Sequence, residues 1–202
     1  MQETKSDLDL WLLIKDGDQS VFERIYDLYF DDLYEYGYRF CKDEFLVKDK
    51  VQDLFVNIWS KREKLGTASN IKAYLFSALR NSLNEQHRNT SIRRAIMDQF
   101  TKGLPLTFSL EFEFIELENQ RQRMEKLHNA LNQLNPRQKE IIYLRYIQDI
   151  PYDDAADIMG ITTKSAYKLS ARAIDSLKNL IAGSDKELYA LLILAQIYKL
   201  KY

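Results

Sequence analysis

Residues 151–177 read PYDDAADIMGITTKSAYKLSARAIDSL, and their pattern is the most informative one for the structure of the C-terminal half. Apolar residues recur at helical spacing on both sides of Gly160. Two short amphipathic helices joined by a tight turn are typical of a helix-turn-helix. The turn requires a positive φ, which glycine adopts without a Cβ clash. The pattern therefore predicts one helix starting at Pro151 and ending at Gly160, and a second starting at Thr162 or Thr163.

The second of these helices opens with polar side chains that lie away from its apolar side. In helix-turn-helix proteins the early residues of the second helix face base edges in the major groove. An ordinary helical hairpin has the same periodicity, so the pattern by itself leaves that alternative open. The candidate DNA-binding residues of this helix are Thr162, Thr163, Lys164, Ser165, Tyr167, Lys168 and Arg172.

The remainder of the chain also favours helices over strands. Apolar residues recur at steps of three and four within 19–40, within 46–62 and from about 71 onward, and again from 120. Between the second and third of these segments, Ser69 or Asn70 can cap the next helix. Only 6 glycines and 3 prolines occur in 202 residues, which favours long helices. The fold class is predicted to be all-α, with two small helical domains joined by a linker.

The helical periodicity is lost between residues 89 and 119, where acidic and apolar residues mix. We expect a first domain at 5–95, an acidic linker at 96–119 and a second domain at 120–182. An apolar helical tail is expected at 183–202, and its apolar run is too short to span a bilayer. The tail either packs back on its own domain or contacts a partner.

The charge is unevenly distributed, although the net charge is only −1. Residues 1–60 carry 7 basic and 14 acidic side chains (net −7), whereas residues 61–97 carry 8 basic and 2 acidic ones (net +6). Local charge decides whether a phosphate backbone is attracted. The basic segment therefore indicates a second nucleic-acid surface. Its candidate residues are Lys72, Arg80, Asn81, Asn84, His87 and Arg88.

The sequence offers no catalytic constellation. It has no glycine-rich phosphate loop, no zinc-ligand set and no nucleophile spaced with a histidine and an acid. We therefore expect no cofactor, no metal and no small-molecule substrate. Cys41 is the single cysteine, which fits a reducing cytoplasm. The acidic N-terminus does not have the sequence pattern of a signal peptide.

Three segments in the second half closely resemble the fourth conserved region of sigma factors. They are residues 131–140 (LNQLNPRQKE), 144–146 (LRY) and 152–161 (YDDAADIMGI). The resemblance implies that this unit reads the −35 promoter element. The second helix departs from the family at Tyr167, Leu169 and Ser170, where many members carry lysine, arginine and leucine, so the promoter sequence stays open.

Two segments in the first half resemble the second conserved region of the same family. Residues 49–59 (DKVQDLFVNIW) resemble the helix that docks on the polymerase clamp, and residues 73–88 resemble the helix that captures the melted −10 strand. The amide and acidic side chains of the first helix lie opposite its apolar stripe. The resemblance thus marks Asp49, Gln52, Asp53 and Asn57 as core-polymerase-binding candidates.

The chain resembles sigma factors in their second and fourth conserved regions and shows no third region. This layout is that of the extracytoplasmic-function group. The resemblance implies an alternative sigma factor that binds core RNA polymerase and promoter DNA. It also implies an anti-sigma factor as a partner, and in many members this partner is membrane-anchored. The alternatives are a helix-turn-helix regulator that is not a polymerase subunit, which would need a sensory domain, and a purely structural helical adaptor.

Overall fold

The computed structural model describes the backbone of residues 6–89 and 118–181, and the side chains of residues 6–85 and 125–181. In these ranges the regular structure is helical, so the predicted all-α class is confirmed. The chain divides into two compact units, Met1–Arg93 and Arg94–Tyr202. No helix within the described ranges is long and apolar enough to cross a membrane. The predicted tail at 183–202, and the linker at 96–119 apart from its last two residues, lie outside the described ranges.

The first unit is a helical bundle. Its helices are α1 (Asp7–Lys15), α2 (Gln19–Cys41), α3 (Glu44–Ser60) and α4 (Ile71–Asn89), with a 3₁₀ turn at Arg62–Lys64. Helices α2, α3 and α4 pack against one another in pairs, and α1 packs on α2 and α4. The apolar stripes predicted from periodicity are the faces that meet in this core, where Leu33, Val51 and Leu75 are fully buried.

Helix α1, which the sequence analysis did not predict, is tied to the segment that precedes α4. The Trp11 indole Nε1 donates to the carbonyl oxygen of Gly66 at 2.8 Å. The Ile71 amide donates to Oδ2 of Asp7 at 2.9 Å, 64 positions away in sequence. The ring of Trp11 also packs on Tyr74, with 4.7 Å between ring centroids. These contacts hold the start of α4 in place.

Asn70 caps α4, because its Oδ1 accepts a hydrogen bond from the Ala73 amide at 3.0 Å. This settles the choice between Ser69 and Asn70, and α4 begins at Ile71 as predicted. The cap satisfies one of the amides that a helix N-terminus leaves without an intrahelical partner.

The second unit is built around its last helix. It contains α5 (Glu118–Gln133), α6 (Pro136–Ile142), a π-helical turn (Tyr143–Ile147), α7 (Tyr152–Met159) and α8 (Thr163–Ile181). Helices α5, α6 and α7 all pack on α8. The buried residues of α7 and α8 include Ala155, Ala166 and Ala173, and these small side chains allow a close approach of the two helices.

The predicted helix-turn-helix is confirmed. Gly160 ends α7 in the left-handed conformation, with φ 63° and ψ 42°. Thr162 caps α8, because its Oγ1 accepts a hydrogen bond from the Ser165 amide at 3.2 Å. The boundaries derived from glycine and threonine chemistry therefore hold to within one residue.

Candidate functional site

The predicted DNA-binding residues of α8 share one solvent-facing side. Lys164, Ser165, Lys168 and Arg172 are exposed and recur at helical spacing, whereas Ala166, Ser170 and Ala173 on the opposite side are buried. Thr162 is exposed at the N-cap, Thr163 is half-buried, and Tyr167 is 55% exposed. The structure thus brings the three predicted DNA-binding cations of this helix, Lys164, Lys168 and Arg172, to one accessible face.

An aromatic cluster that the sequence analysis did not single out supports this helix. The rings of Tyr152 and Tyr167 stack with 4.1 Å between centroids. The Arg145 guanidinium lies 5.4 Å from the Tyr152 centroid. Partial burial raises the pKa of the Tyr152 hydroxyl. The signal in the sequence was the pair of tyrosines on either side of Gly160, but their contact depends on the angle between α7 and α8.

The candidate residues of α4 are more varied in their surroundings. Lys72 lies 3.7 Å from the Asp32 carboxylate of α2, which offsets part of its positive charge. Arg80 and Asn84 are half-buried and Asn81 is exposed. His87 and Arg88 belong to α4, but their side chains lie outside the described ranges.

The four candidate residues of α3 all face solvent. Asp49, Gln52, Asp53 and Asn57 are exposed, as the apolar stripe predicted. Lys50 lies 3.3 Å from the Asp53 carboxylate and 3.7 Å from that of Asp49. The Asn57 amide donates to the carbonyl oxygen of Asp53 at 2.8 Å. The exposed face of α3 therefore combines carboxylates and amides, and contacts with neighbouring groups of the same helix hold three of these side chains.

Next to these residues lies an apolar groove of about 380 Å³ between α2 and α3. We call it the α2–α3 groove. Val56 on its edge is 65% exposed, and Phe45, on the same side of α3, is 86% exposed. Sequence reasoning missed both residues, although their helical spacing to Gln52 was a usable signal. The groove is lined by Phe22, Tyr26, Gln52, Phe55, Val56, Trp59 and Ser60.

Two family models match the chain in the order of these surfaces. The model described as Sigma-70 region 2 matches residues 25–102, and Sigma-70, region 4 matches residues 124–177. The ECF RNA polymerase sigma factor SigX of Bacillus subtilis is 22% identical over 79% of this chain and 83% of its own length.

The chain belongs to the extracytoplasmic-function sigma factors.

Other relatives and solved structures agree with this membership. The ECF RNA polymerase sigma factor SigM of Bacillus subtilis is 24% identical over 78% of this chain and 93% of its own length. The sigma factor RpoE, solved in complex with the anti-sigma factor NepR from Bartonella quintana, shares 25% identity and a TM-score of 0.57 over 80% of this chain and 96% of its own. CnrH, solved in complex with the cytosolic domain of CnrY, shares the fold at a TM-score of 0.58 over 89% of this chain and 100% of its own, at 22% identity.

This sigma factor is therefore a transcription initiation subunit and not an enzyme. It binds core RNA polymerase and directs the polymerase to promoter DNA. Helix α7 and all but the last four residues of α8 lie within the region 4 match, and α3 with α4 lies within the region 2 match. Within the described ranges no group of histidine, cysteine and acidic residues could hold a metal ion.

Proposed function

We propose that the exposed face of α3 is the surface that docks this sigma factor on core RNA polymerase. The observation that carries the proposal is the α2–α3 groove, with Val56 exposed on its edge and Gln52 in its lining. Exposed apolar patches rimmed by polar side chains are typical of protein interaction sites. The carboxylates of Asp49 and Asp53 suit a basic partner surface, and the amides of Gln52 and Asn57 add hydrogen-bonding capacity.

A matched pair of substitutions tests this docking surface. Val56→Asp places a charge at the groove, whereas Leu28→Asp makes the same kind of change at a 60% exposed site on α2 that does not line the groove. Val56→Asp should weaken binding to core polymerase by roughly tenfold, the effect of losing one well-packed interface residue. Leu28→Asp should leave it unchanged. Equal affinities for both variants and the parent would refute the assignment.

We propose that α7 and α8 together read the −35 element, with α8 in the major groove. Lys164, Ser165 and Lys168 lie in the first two turns of α8, from which helix-turn-helix proteins reach base edges. Arg172, one turn further along the same exposed face, suits a phosphate contact. Thr162 and Thr163 lie at the N-terminus, where backbone amides and the helix dipole favour a phosphate.

We propose that α4 captures the melted −10 strand. Arg80 and Arg88 neutralise phosphates in this assignment, and Asn81 and Asn84 bond base edges. Lys72 and His87 lie on the same helix; the Asp32 contact of Lys72 makes it the weaker phosphate ligand. Arg80→Ala with Asn81→Ala should lower permanganate reactivity of −10 thymines in the complex with core polymerase. Glu85→Ala, exposed on the same helix, should not lower it.

We propose that an anti-sigma factor, in a membrane-anchored form or otherwise, covers the same α3 face. Support comes from RpoE, solved with the anti-sigma factor NepR, and from the exposed apolar side chains beside Gln52. The tail 183–202 is a second candidate contact. The proposed site of action is the cytoplasm. Tagged full-length chain should recover polymerase subunits and one inhibitor from its host, and Val56→Asp should reduce both recoveries while Leu28→Asp reduces neither.

A further inference from the structure

The recognition helix α8 carries an exposed aromatic ring that is held from outside the helix. Tyr167 is 55% exposed, and its ring lies on that of Tyr152 at 4.1 Å between centroids, with 29° between the ring planes. Tyr152 belongs to α7, the first helix of the helix-turn-helix. The stack therefore joins the two helices on the side of the unit where Tyr167 is exposed.

Tyr152 is itself anchored by hydrogen bonds to the buried side of α8. Its hydroxyl lies 2.9 Å from Oγ of Ser170, which is only 1% exposed. The hydroxyl of Tyr146 lies 3.4 Å from both of these oxygens. One end of Tyr152 is thus fixed inside the unit, while the half-buried residue stacks its ring on that of Tyr167.

Arg145 also lies over the Tyr152 ring. The guanidinium carbon of Arg145 lies 5.4 Å from the ring centroid, within the range of cation–π attraction. Arg145 is held in turn by Asp149, whose carboxylate accepts from its Nη1 at 2.8 Å. Arg145, Tyr152 and Tyr167 form what we call the aromatic stack.

The aromatic stack restricts a side chain that would otherwise sample several rotamers. An exposed tyrosine loses rotamer entropy when it is fixed in a complex. A ring that is ordered before binding loses less, and its contact with DNA is better defined in position. A defined position is what a contact needs in order to distinguish one base from another.

We propose that Tyr152 is a positioning residue that aims Tyr167 at a thymine methyl group in the major groove. The C5-methyl of thymine is the apolar group that the major-groove code presents, and a tyrosine ring is an apolar partner for it. The assignment rests on the proposed −35 role of α8. It adds a base preference to a helix whose other exposed long side chains in the first three turns, Lys164, Lys168 and Arg172, are cations.

The test uses the full chain in complex with core polymerase and a promoter library randomised across the −35 element. The parent should prefer thymine at one position, and replacing that thymine by deoxyuridine should weaken binding by about fourfold, the effect of one methyl group. Tyr152→Leu and Tyr167→Ala should bind thymine and deoxyuridine equally. Tyr152→Phe, which keeps the ring and loses only the hydroxyl contacts with Ser170 and Tyr146, should retain the fourfold difference.

The outcomes separate this inference from the function on which it rests. A merely structural role for Tyr152 would weaken binding to every −35 sequence equally and leave the base preference of Tyr152→Leu unchanged, which overturns the proposal. Tyr167→Ala removes an exposed side chain and so tests the contact even if Tyr152→Leu does not fold. Preserved thymine preference in Tyr167→Ala also overturns it. Loss of promoter binding by the parent complex would instead contradict the −35 role itself.

Discussion

At the scale of single residues, Gly37 shows how tightly α2 and α3 pack. A Cβ atom added at this position would lie 2.8 Å from Cγ1 of Val47, which is fully buried. Overpacking of this kind costs about 1–3 kcal/mol. Replacing glycine by alanine inside a helix stabilises the helix by roughly 1 kcal/mol, because alanine has the higher helix propensity. We therefore expect Gly37→Ala to lower the free energy of unfolding of the first unit by about 1 kcal/mol.

Both tryptophans, Trp11 and Trp59, lie in the first unit, so their fluorescence in a urea titration reports on that unit. Gly66→Ala is the control, because a Cβ there meets nothing within 4 Å. The double variant Gly37→Ala with Val47→Ala separates the clash from other effects. In the Val47→Ala background, the methyl group added at position 37 should raise the free energy of unfolding instead of lowering it. A loss of the same size in both backgrounds would exclude the Val47 contact as the cause.

Cys41 provides a second residue-scale prediction. Burial raises the pKa of its thiol, so less of the reactive thiolate is present at pH 8 than in an exposed cysteine. Alkylation by iodoacetamide should therefore be slower in the folded chain than in the chain unfolded in urea at the same pH. Mass spectrometry of timed samples measures both rates. Equal rates would show that Cys41 is as accessible and as acidic as a free thiol.

At the scale of elements, the link between α1 and the start of α4 should control how well the proposed −10 helix is ordered. Asp7 acts as a cap from a distance, because its carboxylate accepts from the Ile71 amide. Loss of a capping carboxylate costs about 1 kcal/mol. Asp7→Ala should lower hydrogen-exchange protection at the start of α4, whereas Asp16→Ala, exposed at the end of α1, should not. Unchanged exchange in Asp7→Ala would mean that the Asn70 cap and the Trp11 contacts suffice to hold the segment.

The cations of α8 give the corresponding prediction for the second unit. Lys168→Ala should lower promoter use by roughly 1–3 kcal/mol if Lys168 makes a bidentate base contact, and by less if it touches phosphate. Lys178→Ala is the matched control, because this lysine lies in the last turn of α8, 3.6 Å from the Asp175 carboxylate. In vitro transcription with core polymerase compares the two. Normal activity of Lys164→Ala with Lys168→Ala and Arg172→Ala would rule out this helix as the reader.

The elements that sequence reasoning predicted correctly are those whose causes are local. Gly160, Asn70 and Thr162 end or begin helices through their own φ preference or side-chain oxygen, so their neighbours in sequence suffice. Helix α1 was missed although its N-terminus carries a local signal, the capping box formed by Ser6 and Asp9. What the sequence could not show is the link of α1 to Gly66 and Ile71, more than 50 positions away.

The surfaces follow the same division between local and distant causes. The side of α3 that faces solvent could be predicted from the spacing of its apolar residues. The α2–α3 groove and the aromatic stack did not, because each depends on the angle at which two helices meet. Which side chains a helix exposes is a property of that helix, whereas what lies beside them is a property of the packed unit.

At the scale of the whole molecule, the charge distribution predicts that promoter recognition depends on the polymerase. A chain with net charge −1 and 14 acidic side chains in its first 60 residues is a poor ligand for a polyanion. The basic surfaces on α4 and α8 are local, and each by itself neutralises few phosphates. We expect the isolated chain to bind a promoter duplex no better than roughly 10⁻⁴–10⁻⁶ M, the range of non-specific binding.

Core polymerase supplies the additional contacts with DNA, so the complex should transcribe from that promoter and not from a duplex with a scrambled −35 element. Fluorescence anisotropy of labelled duplex measures binding by the free chain, and run-off transcription measures the complex. The isolated chain should bind the intact and the scrambled duplex equally. Tight, sequence-specific binding without polymerase would favour a helix-turn-helix regulator that acts alone, since such a protein must gain all of its affinity from its own surface.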